Sequence, residues 1–97
     1  MNNKVEDTLI QRGNRYGCSV RNAQLTQTLM NEVNLASARE GTHLSAVHKE
    51  YLHMIMHKIS RMVVGDPWYA DNVHDIGGYA KLIEEYIIDT AESNNND

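Results

Sequence analysis

The sequence predicts an all-α fold, a compact bundle of about four helices. Three observations carry that prediction. Apolar residues recur at intervals of three and four along the chain, and no window shows the strict alternation of a half-buried strand. Glycines at 13, 41 and 65 interrupt the pattern at ordinary helix lengths. The single proline, Pro67, follows Asp66, as a helix start requires.

Taken in order, residues 4–12 predict a short first helix that stops at Gly13, and the connector GNRYGCS reads as loop. Residues 20–38 predict a second helix, with Val20, Ala23, Met30 and Val33 among its apolar positions, ending near Gly41. A third opens around Thr42 to Ser45 and runs to Val64. Its apolar arc holds Leu44, Tyr51, Leu52, Ile55, Ile59, Met62 and Val63. The opposite arc holds Glu50, His53, His57, Lys58 and Arg61, groups that bind metals or phosphates. Gly65 ends this helix, and Asp66-Pro67 reads as an N-cap with proline at the first helical position, a separate turn at PWYAD being the alternative. The fourth helix then runs to about residue 90, with Val73, Ile76, Ala80, Ile83 and Ile87 on its core face. The expected core is Leu52, Ile55, Ile59, Val73, Ile76, Ala80 and Ile83. Residues 1–92 form one helical domain and 93–97 a disordered polar tail.

A chain of 97 residues is near the lower end of what forms a core without staples, so a homo-oligomer is expected. Cys18 is the only cysteine, which excludes an intrachain disulfide and a cysteine-rich zinc site and fits a reducing compartment. The start, MNNKVEDTLIQRG, has no apolar secretion segment, and no stretch approaches the roughly eighteen apolar residues of a membrane span. A cytoplasmic protein with no membrane partner is therefore expected. Thirteen acidic against nine basic residues give a net charge of −4, the wrong sign for non-specific nucleic-acid binding but compatible with a local phosphate site.

The stretch GDPWYADNVHDIGGYAKL, residues 65–82, concentrates the chemistry. Asp71, His74, Asp75, Gly78 and Glu85 lie on the polar side of the fourth helix. Gly77 and Gly78 each cost about 1 kcal/mol relative to alanine inside a helix, so something must come close to the backbone there. The helical phase assigns packing to Gly77 and ligand access to Gly78. Glu50, His53 and His57 have the spacing of a two-histidine, one-carboxylate metal site, although exposed helix histidines are more often simply solvated. Lys58 and Arg61 either face phosphates or pair with Asp71 or Asp75 across the helix contact. Tyr16 and Tyr79 either stack a base or serve the core, and Met54, Met56 and Met62 serve packing or an oligomer contact. No nucleophilic triad or glycine-rich phosphate loop is recognisable.

The set RYG at 15–17 followed by HKISRMVVGDPWYADNVHDIGGYAKL resembles a family of small phage and prophage proteins. Their pattern runs R-x-Y-G or R-x-x-x-Y-G, then K-x-x-R at a helix end, then D-x-x-x-D-I-x-G-Y-A-x-L. The second half of the chain matches well, the first half at Arg15, Tyr16, Gly17 and Asn22. That family is similar to all-α nucleotide pyrophosphohydrolases of the MazG type, in which carboxylates from two helices hold Mg²⁺ against phosphates while Lys and Arg neutralise charge.

The resemblance implies a phage-encoded nucleotide-binding protein of the host cytoplasm, with metal-dependent pyrophosphohydrolase activity as its enzymatic form. It implies ligand contacts from Arg15, Tyr16, Lys58, Arg61, Gly78 and Tyr79, and Mg²⁺ or Mn²⁺ on Asp71, Asp75 and Glu50. The sequence departs from the enzymes in lacking their paired-glutamate E-x-x-E, Glu50 and His53 standing at that spacing. The alternative is a non-enzymatic effector that binds a host defence or replication protein, or sequesters a signalling nucleotide.

Overall fold

A computed structural model describes residues 9, 13 and 15–95. The predicted helix over residues 4–12 lies outside the described residues apart from Leu9. Within them the protein is helical and has no strand, as predicted. Three helices follow one another: α1 (Ser19–Glu40), α2 (Ala46–Val64) and α3 (Ala70–Asn95).

Local chemistry sets the boundaries. α1 stops at Gly41, whose left-handed φ of 71° is open to glycine at little cost and lets the following amides reach back to Ala38 and Ser37. α2 starts with a capping box: the Ser45 hydroxyl accepts from the His48 amide at 3.2 Å, and the His48 ring reaches back to the Ser45 amide at 3.4 Å. α3 begins at Ala70 and not at Pro67. Asp66 instead closes the separate turn, its carboxylate accepting from the Trp68 amide at 2.9 Å and its carbonyl from the Tyr69 amide at 3.2 Å. At the other end α3 continues to Asn95, past the boundary expected near 90. No helix of the described residues is long and apolar enough to cross a membrane.

Short connections force neighbouring helices to run antiparallel, and the contacts show that register. Thr26 meets Ser60 and Gln27 meets His53, while Lys58, Tyr51 and His48 meet Asp75, Tyr79 and Tyr86 in turn. α2 packs on both α1 and α3, whereas α1 and α3 do not pack on each other. The helices therefore lie side by side with α2 in the middle.

This arrangement corrects the expected core. No apolar side chain among the described residues is buried; the buried residues are Asn22, Thr26, Ser60 and Asn72. Leu52, Ile55, Ile76 and Ile83 are half-buried, Ala80 is exposed, and Ile59 and Val73 are 36% and 53% exposed. The apolar arcs are present, but burial is shared with polar side chains and part of each arc stays exposed. The α1–α2 contact forms around small hydroxyl side chains that let the backbones approach, and the α2–α3 contact takes in Lys58–Asp75, Tyr51–Tyr79 and His48–Tyr86. At the α1–α2 contact the Thr26 hydroxyl lies 2.8 Å from the Asn22 carbonyl and 2.9 Å from Ser60 Oγ, and Ser60 donates to the Met56 carbonyl at 3.0 Å.

Candidate functional site

The RYG turn and the start of the GDPWY turn form one clasp. Gly17 has a φ of 79°, and a Cβ there would sit 2.5 Å from the Val64 carbonyl oxygen. A Cβ at Gly65 would collide with the Tyr16 and Arg15 backbone and lie 2.7 Å from the Arg61 carbonyl oxygen. Both glycines are thus required by close backbone approach. The Asp66 amide donates to the Arg15 carbonyl at 2.9 Å, and the Asn22 side-chain amide donates to the Tyr16 carbonyl. Around this backbone contact the side chains interleave. Arg61 lies 4.2 Å from the centre of the Tyr16 ring, Arg15 lies 4.5 Å from that of Tyr69, and the two rings meet edge to face at 6.0 Å. Arg15 also pairs with Asp66 at 3.5 Å.

One turn along α2, Lys58 bonds Asp75 at 2.9 Å. That hydrogen bond, ahead of burial acting the other way, holds the Asp75 carboxyl below the usual carboxylate range. Next to it, His74, Asp75, Gly78, Tyr79 and Leu82 line a groove of about 340 Å³. A Cβ at Gly78 would meet nothing within 4 Å, so the backbone is open there. The Tyr79 ring stacks near Tyr51, with centroids 6.0 Å apart and planes 27° from parallel. Of the expected ligand residues, Gly78 and Tyr79 share this groove, Lys58 touches its edge through Asp75, and Arg15, Tyr16 and Arg61 meet in the clasp.

The expected metal ligands are distributed differently. Asp71 accepts the Tyr69 hydroxyl at 2.8 Å, which, with the Asp71 charge, raises the Tyr69 phenol above its ordinary value. Asp75 holds Lys58. Glu50 lines a separate groove of about 370 Å³ between α1 and α2 with Gln27, Met30, Asn34, Ala46, Lys49 and His53. His53 and His57 line another of about 350 Å³ with Ala23, Thr26 and Met54. Burial, then the charges of Arg61, Lys58 and His53, lowers the His57 pKa and favours the neutral ring. No group of three His, Cys, Asp or Glu side chains among the described residues is placed to hold a metal ion.

The sequence reading missed Asp66 and Tyr69, which tie the clasp together. From the sequence Asp66 has only the role of a helix cap, and Tyr69 only a place in the PWYAD turn. The signal available for both was that two arginines, two tyrosines and one aspartate, Arg15, Arg61, Tyr16, Tyr69 and Asp66, lie within four residues of Gly17 or Gly65. Asn72, 1% exposed with its side-chain amide nitrogen unpartnered, was also missed. Compared with protein-family models, with curated proteins and with solved structures, the chain matches none.

Proposed function

We propose that the protein binds a nucleotide, or a ligand of similar build that joins a phosphate to a flat heterocycle, on the polar side of α2 and α3, without hydrolysing it. The groove of His74, Asp75, Gly78, Tyr79 and Leu82 is the observation that carries this reading. It offers bare helix backbone at Gly78, and a tyrosine and a leucine for a flat ring. Stacking of a base on such an aromatic is worth about 1–3 kcal/mol. Arg61 lies over the Tyr16 ring in the clasp and makes no ion pair among the described residues. It is near enough for its charge to act on Asp75, so it is the cation at the groove's edge for the phosphate.

The resemblance of the second half of the chain to small phage and prophage proteins, a group similar in turn to the all-α nucleotide pyrophosphohydrolases, favours a nucleotide over other phosphates, and with it a phage or prophage origin and a host-cytoplasmic location. Hydrolysis lacks comparable support. Asp71 and Asp75 are each engaged by a donor of the chain and Glu50 lines a different groove, so the three do not fit a resident Mg²⁺ or Mn²⁺. Capture of a signalling nucleotide needs binding alone.

Thermal denaturation with a panel of linear and cyclic nucleotides, each with and without Mg²⁺ and Mn²⁺, tests the reading. A ligand at a hundred times its Kd adds about 2.7 kcal/mol of stability. At least one nucleotide should raise the melting temperature of the protein and fail to raise that of Gly78→Leu, whose side chain fills the groove. If no nucleotide moves the wild-type curve, the proposal fails.

A second reading, binding of a host protein without chemistry, is favoured by Trp68. This side chain is 90% exposed in the turn beside the clasp, and tryptophan is among the residues enriched at the hot spots of protein interfaces. Trp68→Ala should then abolish binding to a replication or defence factor in calorimetry and leave nucleotide shifts unchanged.

A further inference from the structure

The side of α2 and α3 opposite the proposed ligand groove carries apolar side chains that the described residues leave exposed. On α2, Leu52, Ile59 and Val63 fall on the flank away from Glu50, His57 and Arg61 at one hundred degrees per residue. On α3, Val73, Ala80 and Ile87 fall on the flank away from Asp71, His74 and Gly78. The Lys58–Asp75 bond joins the two polar flanks on one side, which brings the two apolar flanks together on the other. There Val63 is 69%, Val73 53% and Ile87 50% exposed.

We propose that a second copy of this chain covers that face, pairing apolar flank with apolar flank about a two-fold axis. Surface area supports it. A compact monomer of 11.0 kDa is expected to expose about 5,600 Å². This chain exposes 7203 Å². The difference, about 1,600 Å² over the whole chain, leaves room for the roughly 800 Å² per partner that a standard interface buries.

Two observations select a second copy over an unrelated protein. With no apolar side chain fully buried among the described residues, a cover on this face adds to the stability of the fold, and a second copy is present wherever the chain is. The flank is mostly uncharged, and Glu84, which shares the α3 side of it, is paired with Lys81 at 2.9 Å, so the net charge of −4 opposes self-approach little at this face. Gly77 fits the same occupant. It was expected to pack within the chain, yet a Cβ there would meet nothing within 4 Å, and it lies on the α3 turn between Val73 and Ala80. A partner helix approaching this flank supplies the missing neighbour.

Light scattering on the full chain is expected to return twice the 11.0 kDa chain mass, and Val63→Asp is expected to lower the dimer affinity at least a hundredfold. Because an unpaired variant can lose its fold, a second measurement uses mild substitutions in a Cys18→Ser background. Val73→Cys, on the face, should give bismaleimide-linked dimers in high yield, and Val20→Cys, equally exposed on α1 and outside the flank, should not. A wild-type mass of one chain at about 100 µM overturns the proposal, as does equal cross-linking at both positions. Neither outcome bears on nucleotide binding, which thermal denaturation reads separately.

Discussion

Lys58 donates to Asp75 at 2.9 Å across the α2–α3 contact, with the lysine side chain only 11% exposed and the carboxylate 41% exposed. The asymmetry decides what the pair does. Lys58 has given up most of its water and relies on one carboxylate, so Asp75→Asn leaves a desolvated ammonium with an amide oxygen in place of a charge. The substitution should lower the melting temperature at pH 7. The pH dependence follows from the depressed Asp75 pKa. A carboxyl titrating lower in the folded state stabilises the fold above its unfolded pKa, and that contribution is lost as pH falls through the folded value. Urea midpoints from pH 7 down to pH 2 should therefore fall more steeply for wild type than for Asp75→Asn; parallel curves would show that the bond contributes nothing.

The glycines should separate into opposite classes under the same change. Gly17→Ala and Gly65→Ala place a Cβ against backbone, and Gly17 adds a positive φ, so each should destabilise by about 1–3 kcal/mol or more. At Gly78 a Cβ meets nothing, and alanine should stabilise by about 0.5–1 kcal/mol through helix propensity. Chemical denaturation of the three variants checks this. A stabilising Gly65→Ala would show that the clasp is not as close as described.

Much of the fold was legible because helix periodicity and punctuation are local. Gly41, Ser45 and Gly65 act within a turn or two of their own positions, and α1 and α2 end close to where they were placed. Burial was not legible, since which arc faces a neighbour is settled between helices. Thr26 and Ser60, the small residues that set the α1–α2 distance, carry no sequence signal until the register is known. In the site, Asp75, Gly78 and Tyr79 are one turn apart on a single helix, so their sharing a groove could be read from spacing. The engagement of Arg15 by Asp66 and Tyr69 joins residues some fifty positions apart, and no periodicity reports it.

His57 should make the fold sensitive to mild acid. Burial and the nearby cations Arg61 and Lys58 hold its pKa below the ordinary value, so the folded state takes up a proton less readily than the unfolded chain. Stability from this residue is complete above the unfolded pKa of about 6.5 and is lost as pH falls toward the lower folded value. His57→Gln should flatten the decline in urea midpoint between pH 7 and pH 5. The ring's own titration, followed by NMR, should give a midpoint below that of a histidine in an unfolded peptide; a midpoint above it would contradict the placement beside Arg61 and Lys58.

Thr26 and Ser60 offer the sharpest test of the polar α1–α2 contact, because both are buried and each is bonded to more than the other. Thr26→Val keeps the shape and removes the hydroxyl, so Ser60 loses one neighbour but still donates to the Met56 carbonyl. The cost should be about 1 kcal/mol, the net value of one hydrogen bond, and not the larger penalty of an orphaned donor. Ser60→Ala should cost about as much, since the Thr26 hydroxyl still reaches the Asn22 carbonyl. With both changed, no hydroxyl remains to be left without its partner. The double variant should then lose less than the sum of the single losses, by about 0.5 kcal/mol or more. Equilibrium unfolding of the four proteins closes the cycle, and strict additivity would mean that the two hydroxyls do not interact.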